Sequence, residues 1–129
     1  MGGETMEHLN ELAAKIYEGN KRKGFDVANE NIGQSLMLVV SEISEALEAD
    51  RIDKHTNRDT VLKLHYETDL GQFITVFKSD VKDSFEDEIS DAMIRLFDLC
   101  GGLGIDIERH IELKLRYNET RALMHGKKY

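Results

Sequence analysis

The chain has 129 residues, of which 40% are hydrophobic, and a formal net charge of -8, which together fit one compact domain (residues 1–129) with a buried core. The negative charge argues against direct binding to nucleic acid or to an anionic membrane, and no stretch approaches the roughly 18 apolar residues of a membrane span. A lone cysteine, Cys100, excludes an internal disulfide, and with a polar, acidic start in place of a signal peptide we expect a cytoplasmic protein.

Two long segments in the first half of the chain carry apolar residues at the spacing of an amphipathic α-helix. The first runs from about residue 4 to residue 23 and ends before Gly24. The second runs from about residue 31 to residue 50, behind an N-cap at Asn29 or Asn31. Because the chain contains no proline, nothing interrupts either segment, and both predict helices.

Two further helices are predicted in the second half of the chain. One begins at Ser84, which with Asp87 resembles a capping box, and ends at the glycine pair 101–102. The other opens at Asp106 and continues to about residue 124. Four long helices indicate a mainly α, four-helix-bundle-like fold.

The segment between the second and third predicted helices, from about residue 53 to residue 83, has a different pattern. TVLKLHYE (60–67) alternates apolar and polar residues, TDLG (68–71) is typical of a turn, and QFITVFK (72–78) is rich in β-branched and aromatic residues. We expect a short β-hairpin inserted between the two helices, since lengthening a loop costs little additional entropy.

Two of the predicted helices carry a matched pair of acidic residues. Glu42 and Glu45 lie three residues apart on the second helix, and Glu88 and Asp91 lie three apart on the third. At about 100° per residue, each pair flanks the apolar stripe of its helix on the same side. In the second helix this stripe contains Ile32, Leu36, Val39, Ile43 and Ala46.

If the two apolar stripes pack together, the four carboxylates converge, and their mutual repulsion requires a counter-ion. Hard oxygen ligands favour Mg²⁺, with Mn²⁺ as the alternative. Acids three residues apart also arise by chance in an acidic chain, as at Glu4 and Glu7 or at Asp80 and Asp83. The alternative interpretation is therefore a solvated acidic surface.

Positive charge concentrates on the last predicted helix. In the segment KLRYNETR, Lys114, Asn118 and Arg121 lie at positions i, i+4 and i+7, and therefore on one face. A guanidinium, an ammonium and an amide in this arrangement suit the outer phosphates of a nucleotide. Alternatively, these side chains only interact favourably with the negative end of the helix dipole.

The motifs ExxE at 42–45, ExxD at 88–91 and K…N..R at 114–121, in this order on successive helices, resemble the MazG-like superfamily of all-α nucleoside triphosphate pyrophosphohydrolases. The segment NKRKGF at 20–25 is similar to the family's connection between its first two helices. Two features depart from the family. Ser41 stands where many relatives carry a further glutamate, and the interval between the two acid pairs is longer than usual.

The resemblance implies hydrolysis of a nucleoside triphosphate between its α and β phosphates, giving a monophosphate and pyrophosphate. It assigns Mg²⁺ binding to the four acids, Glu42, Glu45, Glu88 and Asp91. Glu42 or Glu45 would orient the attacking water or accept its proton. The departing pyrophosphate would be held by the basic face, Lys114, Asn118 and Arg121. The resemblance also favours a homodimer or homotetramer, in which a partner would stabilise the bundle and close the site.

Two alternatives to this function stay open from the sequence. The related enzymatic reaction is cleavage of phosphoribosyl-ATP, which a comparison of substrates distinguishes from general nucleotide hydrolysis. The alternative from another class of protein is a non-catalytic helical interaction module whose acidic edge is only solvated. A divalent ion that binds the folded state would raise the melting temperature of the enzyme and leave that of the module unchanged.

Overall fold

The computed structural model describes residues 2–126, with side chains described for residues 8–121, and these residues are mainly helical. Six α-helices follow in chain order: α1 (Gly2–Arg22), α2 (Ile32–Arg51), α3 (Arg58–His65), α4 (Leu70–Val76), α5 (Phe85–Leu103) and α6 (Ile107–Gly126). A 3₁₀ turn spans Val27–Asn29, and a π-helical turn spans Phe77–Val81. The mainly α fold predicted from the sequence is confirmed.

Helices α2 and α5 each begin at a side chain that accepts a hydrogen bond from a backbone N–H group of the first turn. The side-chain oxygen of Asn31 accepts a hydrogen bond from the backbone N–H of Gln34 at 3.0 Å, at the start of α2. The hydroxyl of Ser84 accepts one from the backbone N–H of Asp87 at 3.1 Å, at the start of α5. Of the two N-caps predicted for α2, Asn29 and Asn31, the structure shows Asn31, and the predicted N-cap Ser84 is confirmed. The Asp87 carboxylate, however, accepts from the backbone N–H of Asp83 and not from that of Ser84, so the capping box is only half formed.

Helix α5 continues through the glycine pair 101–102 to Leu103, beyond the predicted end. The pair instead allows a close approach to neighbouring backbone. A Cβ atom on Gly101 would overlap the carbonyl group of Ala13, and one on Gly102 would lie 2.7 Å from Cγ1 of Val27. The left-handed backbone conformation after the helix belongs to Gly104, whose φ is 67°.

The β-hairpin expected within residues 53–83 is wrong, because this segment forms α3, α4 and the π-helical turn. Each short helix has its own N-cap. The side-chain oxygen of Asn57 accepts from the backbone N–H groups of Asp59 and Thr60 at 2.9 and 3.1 Å. A carboxylate oxygen of Asp69 accepts from the backbone N–H of Gln72 at 2.9 Å. The tetrapeptide interpreted as a hairpin turn therefore contains the start of a helix.

The alternation of apolar and polar residues in TVLKLHYE does not correspond to two faces of a strand. Leu64 is the buried residue of α3, whereas Leu62 and Tyr66 are exposed. In α4, no residue is buried, and the Phe73 ring stacks on that of Phe77 with their centroids 5.9 Å apart. The β-branched and aromatic residues thus pack locally within short helices, and the helical caps outweigh their preference for strands.

The described residues fall into two compact units. The terminal unit contains the described residues before position 30 and those after position 96, and the central unit contains residues 30–96. In the terminal unit, α1 is bound to the start of α6 through Asn10. The backbone N–H of Asn10 donates a hydrogen bond to Oε1 of Glu108 at 2.8 Å, and the side-chain amide of Asn10 donates one to Oδ1 of Asp106 at 2.9 Å.

In the central unit, a histidine joins the last turn of α2 to the first turn of α5. Nε2 of His55 lies 2.9 Å from Oδ1 of Asp50, and Nδ1 lies 2.9 Å from Oε2 of Glu86. The backbone N–H of Phe85 also donates to the carbonyl oxygen of Lys54 at 2.8 Å. These contacts hold together the two helices that carry the acid pairs.

Among the described residues, no helix has both the length and the apolar content needed to cross a bilayer.

Candidate metal centre

Three of the four predicted metal ligands come together in the central unit. Glu42 and Glu45 on α2 and Glu88 on α5 each place a carboxylate oxygen within 4.8 Å of the other two. The acids converge because they lie on the buried faces of the two helices: Glu42 shares its face with Val39 and Ala46, and Glu88 is itself buried, one turn from the buried Ala92.

Asp91, the fourth predicted ligand, is connected to this group through Glu42. It lies one turn beyond Glu88 on α5 and is half-buried. Burial raises the pKa of Asp91, and the negative charges of Asp87 and Glu42, together with a hydrogen bond to Glu42, raise it further. The acid pairs therefore form one electrostatically coupled set.

The residues of α2 that are buried do not coincide with the predicted apolar stripe. They lie on a face of the helix that is closer to the acids. The buried residues of this helix are Ser35, Val39, Ala46 and Ala49, and of the predicted apolar stripe only Val39 and Ala46 are among them. Glu42 lies on this buried face, with its side chain 12% exposed. Glu88 is 5% exposed, whereas Glu45 is open to solvent. The site has a buried floor and an exposed rim.

The surroundings of Glu88 favour its protonated form. Its hydrogen bond with Glu45, its burial, and the charges of Glu45, Glu42 and Asp91 together raise the pKa of Glu88 to about 8. A proton on Glu88 would remove one negative charge from the cluster.

Arg95 supplies a further neutralising charge that the sequence analysis missed. Its Nε lies 3.3 Å from Oε1 of Glu42. Arg95 follows Asp91 by four residues and Glu88 by seven, so the three lie on one face of α5. That spacing is visible in the sequence, but its partner lies 53 positions away on another helix.

A second acidic group adjoins the first and also was not predicted. Carboxylate oxygens of Asp83, Asp87 and Glu88 lie within 4.8 Å of one another, so Glu88 belongs to both groups. Asp87 already accepts from the backbone N–H of Asp83, which adopts a left-handed conformation with φ of 64°. This group is explained by the turn that precedes α5.

The chemistry of the predicted ligand set fits a hard divalent cation. All four side chains are carboxylates, which suit Mg²⁺ and Mn²⁺, and none is the histidine or cysteine typical of zinc sites. Oxygens on opposite sides of Mg²⁺ lie about 4.2 Å apart, twice the usual bond length. Since the three carboxylate oxygens already lie within 4.8 Å of one another, small side-chain movements would bring them into range.

The predicted phosphate ligands Lys114, Asn118 and Arg121 are exposed on α6, in the terminal unit, whereas the acid pairs belong to the central unit. The aromatic ring of Tyr117 makes a cation–π contact with each of the two basic side chains. Nζ of Lys114 lies 5.3 Å from the centroid of its ring, and Cζ of Arg121 lies 5.9 Å from it. Phosphate binding by this face remains a prediction.

Comparisons of the chain with family models, with curated proteins and with solved structures found no match. The resemblance to the MazG-like superfamily therefore rests on the motifs in the sequence, and it too remains a prediction.

Proposed function

We propose that this protein is a Mg²⁺-dependent nucleoside triphosphate pyrophosphohydrolase of the MazG-like, four-helix-bundle type. The observation that carries the proposal is the convergence of Glu42, Glu45 and Glu88, with oxygens within 4.8 Å of one another on two helices. A protein with a net charge of -8 repels polyphosphates, and a divalent cation held by these acids would reverse that repulsion.

In this proposal the role of each of the four acids follows from how deeply its side chain is buried. Glu88 forms the buried floor, Glu42 and Asp91 are partly buried beside it, and Glu45 forms the exposed rim. When bound, Mg²⁺ would neutralise phosphate oxygens and lower the pKa of an attacking water. Glu45 is open to solvent, so its carboxylate is the best placed to accept the proton of that water.

The reaction would transfer the nucleotidyl group, which is the nucleoside with its α phosphate, to water. The bond between the α phosphorus and the bridging oxygen breaks, a P–O bond to the water oxygen forms, and the water proton passes to Glu45. The products are a nucleoside monophosphate and pyrophosphate. The basic face of α6, Lys114, Asn118 and Arg121, would hold the pyrophosphate as it leaves.

The proposal includes self-association as a homodimer or homotetramer. Leu36, Val40, Ile43 and Leu47 form an exposed apolar stripe on α2, spaced i, i+4, i+7 and i+11. Contiguous apolar surface of this kind is typical of an interface between proteins. Light scattering coupled to size-exclusion chromatography should give two or four times the chain mass of 14.7 kDa, and the chain mass alone would contradict self-association.

Product analysis tests the proposed activity. Wild-type protein is incubated with Mg²⁺ and a panel of canonical and modified nucleoside triphosphates, with phosphoribosyl-ATP included, and the products are resolved by phosphorus NMR. We expect a monophosphate and pyrophosphate with at least one substrate, and no turnover in EDTA. Turnover of phosphoribosyl-ATP alone would reassign the substrate, and orthophosphate as the first product would contradict the proposed bond cleavage.

One observation favours the alternative of a non-catalytic interaction module. Arg95 pairs with Glu42, and the raised pKa of Glu88 favours the neutral form of that carboxyl group, so the charges of the acid cluster are partly compensated without a metal ion. Melting curves separate the two functions, because only an ion that binds the folded protein raises its melting temperature. Unchanged melting with Mg²⁺, Mn²⁺ and nucleotide would favour the module.

A further inference from the structure

Arg95 is the cation within the acid cluster, and its position suggests more than a structural ion pair. Its side chain is 43% exposed, whereas the side chain of Glu42, its partner, is 12% exposed. The guanidinium thus reaches from the solvent side of the site onto a nearly buried carboxylate. Water screens the charge of the exposed guanidinium, which reduces the contribution of this ion pair to stability and leaves a further role of Arg95 to be explained.

The guanidinium has unused donors. Among the side chains that the structure describes, Arg95 makes its hydrogen bond through Nε, and this bond goes to Glu42. The guanidinium group carries five N–H donors in a planar fork that matches phosphate as well as carboxylate. Its two terminal nitrogens therefore remain available to a ligand at the open rim of the cluster.

A divalent cation and Arg95 would compete for the same carboxylate. Glu42 belongs to the group whose oxygens lie within 4.8 Å of one another, and it is also the partner of Arg95. A cation bound to Glu42 would repel the guanidinium and take its place as the partner of the carboxylate. The guanidinium would then have all five donors available to an anionic ligand such as a polyphosphate.

We propose that Arg95 binds substrate phosphate in this site: its guanidinium neutralises Glu42 in the metal-free protein and turns to a β- or γ-phosphate oxygen of the nucleotide when a divalent cation occupies the carboxylates. The inference rests on the proposed function and adds to it a substrate ligand on α5, separate from the basic face of α6. Arg95 would also link the two binding events, because the same side chain opposes the cation and attracts the nucleotide.

Substitution of Arg95 should change the affinity for Mn²⁺ and the affinity for the nucleotide in opposite directions. In Arg95→Gln, Mn²⁺ should bind about 2- to 10-fold more tightly, because a competing positive charge beside Glu42 is gone. A non-hydrolysable α,β-methylene nucleoside triphosphate should bind roughly 10- to 100-fold more weakly at saturating Mn²⁺, the range for loss of a charge-assisted hydrogen bond. A merely structural role would weaken both.

The experiment titrates Mn²⁺ into the protein and follows the free ion by electron paramagnetic resonance, then titrates the methylene analogue at saturating Mn²⁺ by calorimetry. Arg95→Lys keeps the positive charge but loses the planar set of guanidinium donors. Its affinity for Mn²⁺ should match that of the wild type, and its affinity for the analogue should lie between those of the wild type and Arg95→Gln. The matched control is Arg51→Gln, which removes an arginine from α2 whose NH1 lies 3.6 Å from the exposed Glu48. It should bind both ligands as the wild type does.

The outcomes distinguish this inference from the proposed function. If the wild type binds Mn²⁺ and the analogue, but Arg95→Gln binds both equally well or binds both more weakly, the role of Arg95 is wrong and the proposed function stands. If Arg95→Gln does not fold, Arg95→Lys carries the test, and analogue binding equal to the wild type would overturn the phosphate contact. If the wild type binds no Mn²⁺, the proposed function fails and the inference fails with it.

Discussion

The carboxyl group of Glu88 on α5 is hydrogen-bonded to Glu45 on α2, and this contact joins the two acid pairs at the floor of the candidate site. The hydrogen bond, the burial of Glu88 and the surrounding acids raise the pKa of Glu88 to about 8. The raised pKa favours a proton, at neutral pH, on a carboxyl group that we propose as a ligand of a divalent cation. The proton and the cation must compete for Glu88.

This competition makes cation binding depend on pH. Because the pKa of Glu88 is about 8, binding of Mn²⁺ at pH 7 should release about one proton, and Mn²⁺ affinity should rise between pH 6 and pH 8.5. Calorimetry at pH 7 in buffers of different ionisation enthalpy counts the protons released. Mn²⁺ affinity that is constant over this range, with no proton release, would show that no proton competes with the cation at Glu88.

A second pH effect comes from His55, which lies between Asp50 and Glu86. Hydrogen bonds with Glu86 and Asp50 raise the pKa of His55 above its ordinary 6.5. Its contribution to stability is therefore complete below pH 6.5 and is lost as the pH rises through the folded-state pKa. Burial acts in the opposite direction on Glu86, but hydrogen bonds from His55 and Thr56 lower the pKa of Glu86 to about 2, from an ordinary 4.5. The contribution of Glu86 is therefore present above pH 4.5 and is lost as the pH falls toward 2.

Both contributions are present between pH 4.5 and pH 6.5. We expect His55→Gln to lower the free energy of unfolding more at pH 5.5 than at pH 8.5, as measured by urea denaturation. The control is His8→Gln, since His8 is an exposed residue that pairs only weakly with Glu11, at 3.5 Å. A loss of stability in His55→Gln that is equal at both pH values would show that its protonated form does not hold the two helices together.

Gly101 offers a test of the packing in the terminal unit. In Gly101→Ala the new Cβ would lie 2.9 Å from both the carbonyl carbon of Ala13 and Cβ of Tyr17. Overpacking of this kind should lower the free energy of unfolding by about 1–3 kcal/mol. Gly19→Ala in α1 is the matched control, because its Cβ would approach only the end of the Arg22 side chain at 3.9 Å. It should raise the free energy of unfolding by about 0.5–1 kcal/mol, and equal effects of the two changes would contradict the close contact.

The sequence was sufficient for the features that depend on local spacing. The N-cap at Ser84, and the one at Asn31 as one of two candidates for α2, follow from a side-chain oxygen placed before apolar residues at helical spacing. The placement of each acid pair on a single helix face follows from its spacing of three residues. The prediction of a β-hairpin was wrong because asparagine and aspartate are favoured both in turns and at N-caps. Only the structure shows that Asn57 and Asp69 are N-caps.

Features that depend on tertiary contacts were not predictable from spacing. Apolar periodicity identifies the apolar residues of α2 but not which of them are covered, and Leu36 and Ile43 are exposed while Ser35 is buried. The pairing of Arg95 with Glu42 spans 53 positions of sequence, and no local pattern indicates it. The spacing also did not reveal that Glu88 and Arg95 would partly neutralise the cluster without a metal ion.

The most direct test of the proposed function compares the rate of pyrophosphate release by wild-type protein, Glu42→Gln and Asp91→Asn in the presence of Mg²⁺. Each variant removes one charge from the acid cluster, whereas the control, Glu48→Gln, removes a charge from an exposed position of the same helix as Glu42. We expect activity in the wild type and in Glu48→Gln, and a loss of at least about 100-fold in the two cluster variants, with far-UV circular dichroism unchanged. Pyrophosphate release at the wild-type rate by both Glu42→Gln and Asp91→Asn would contradict the proposal.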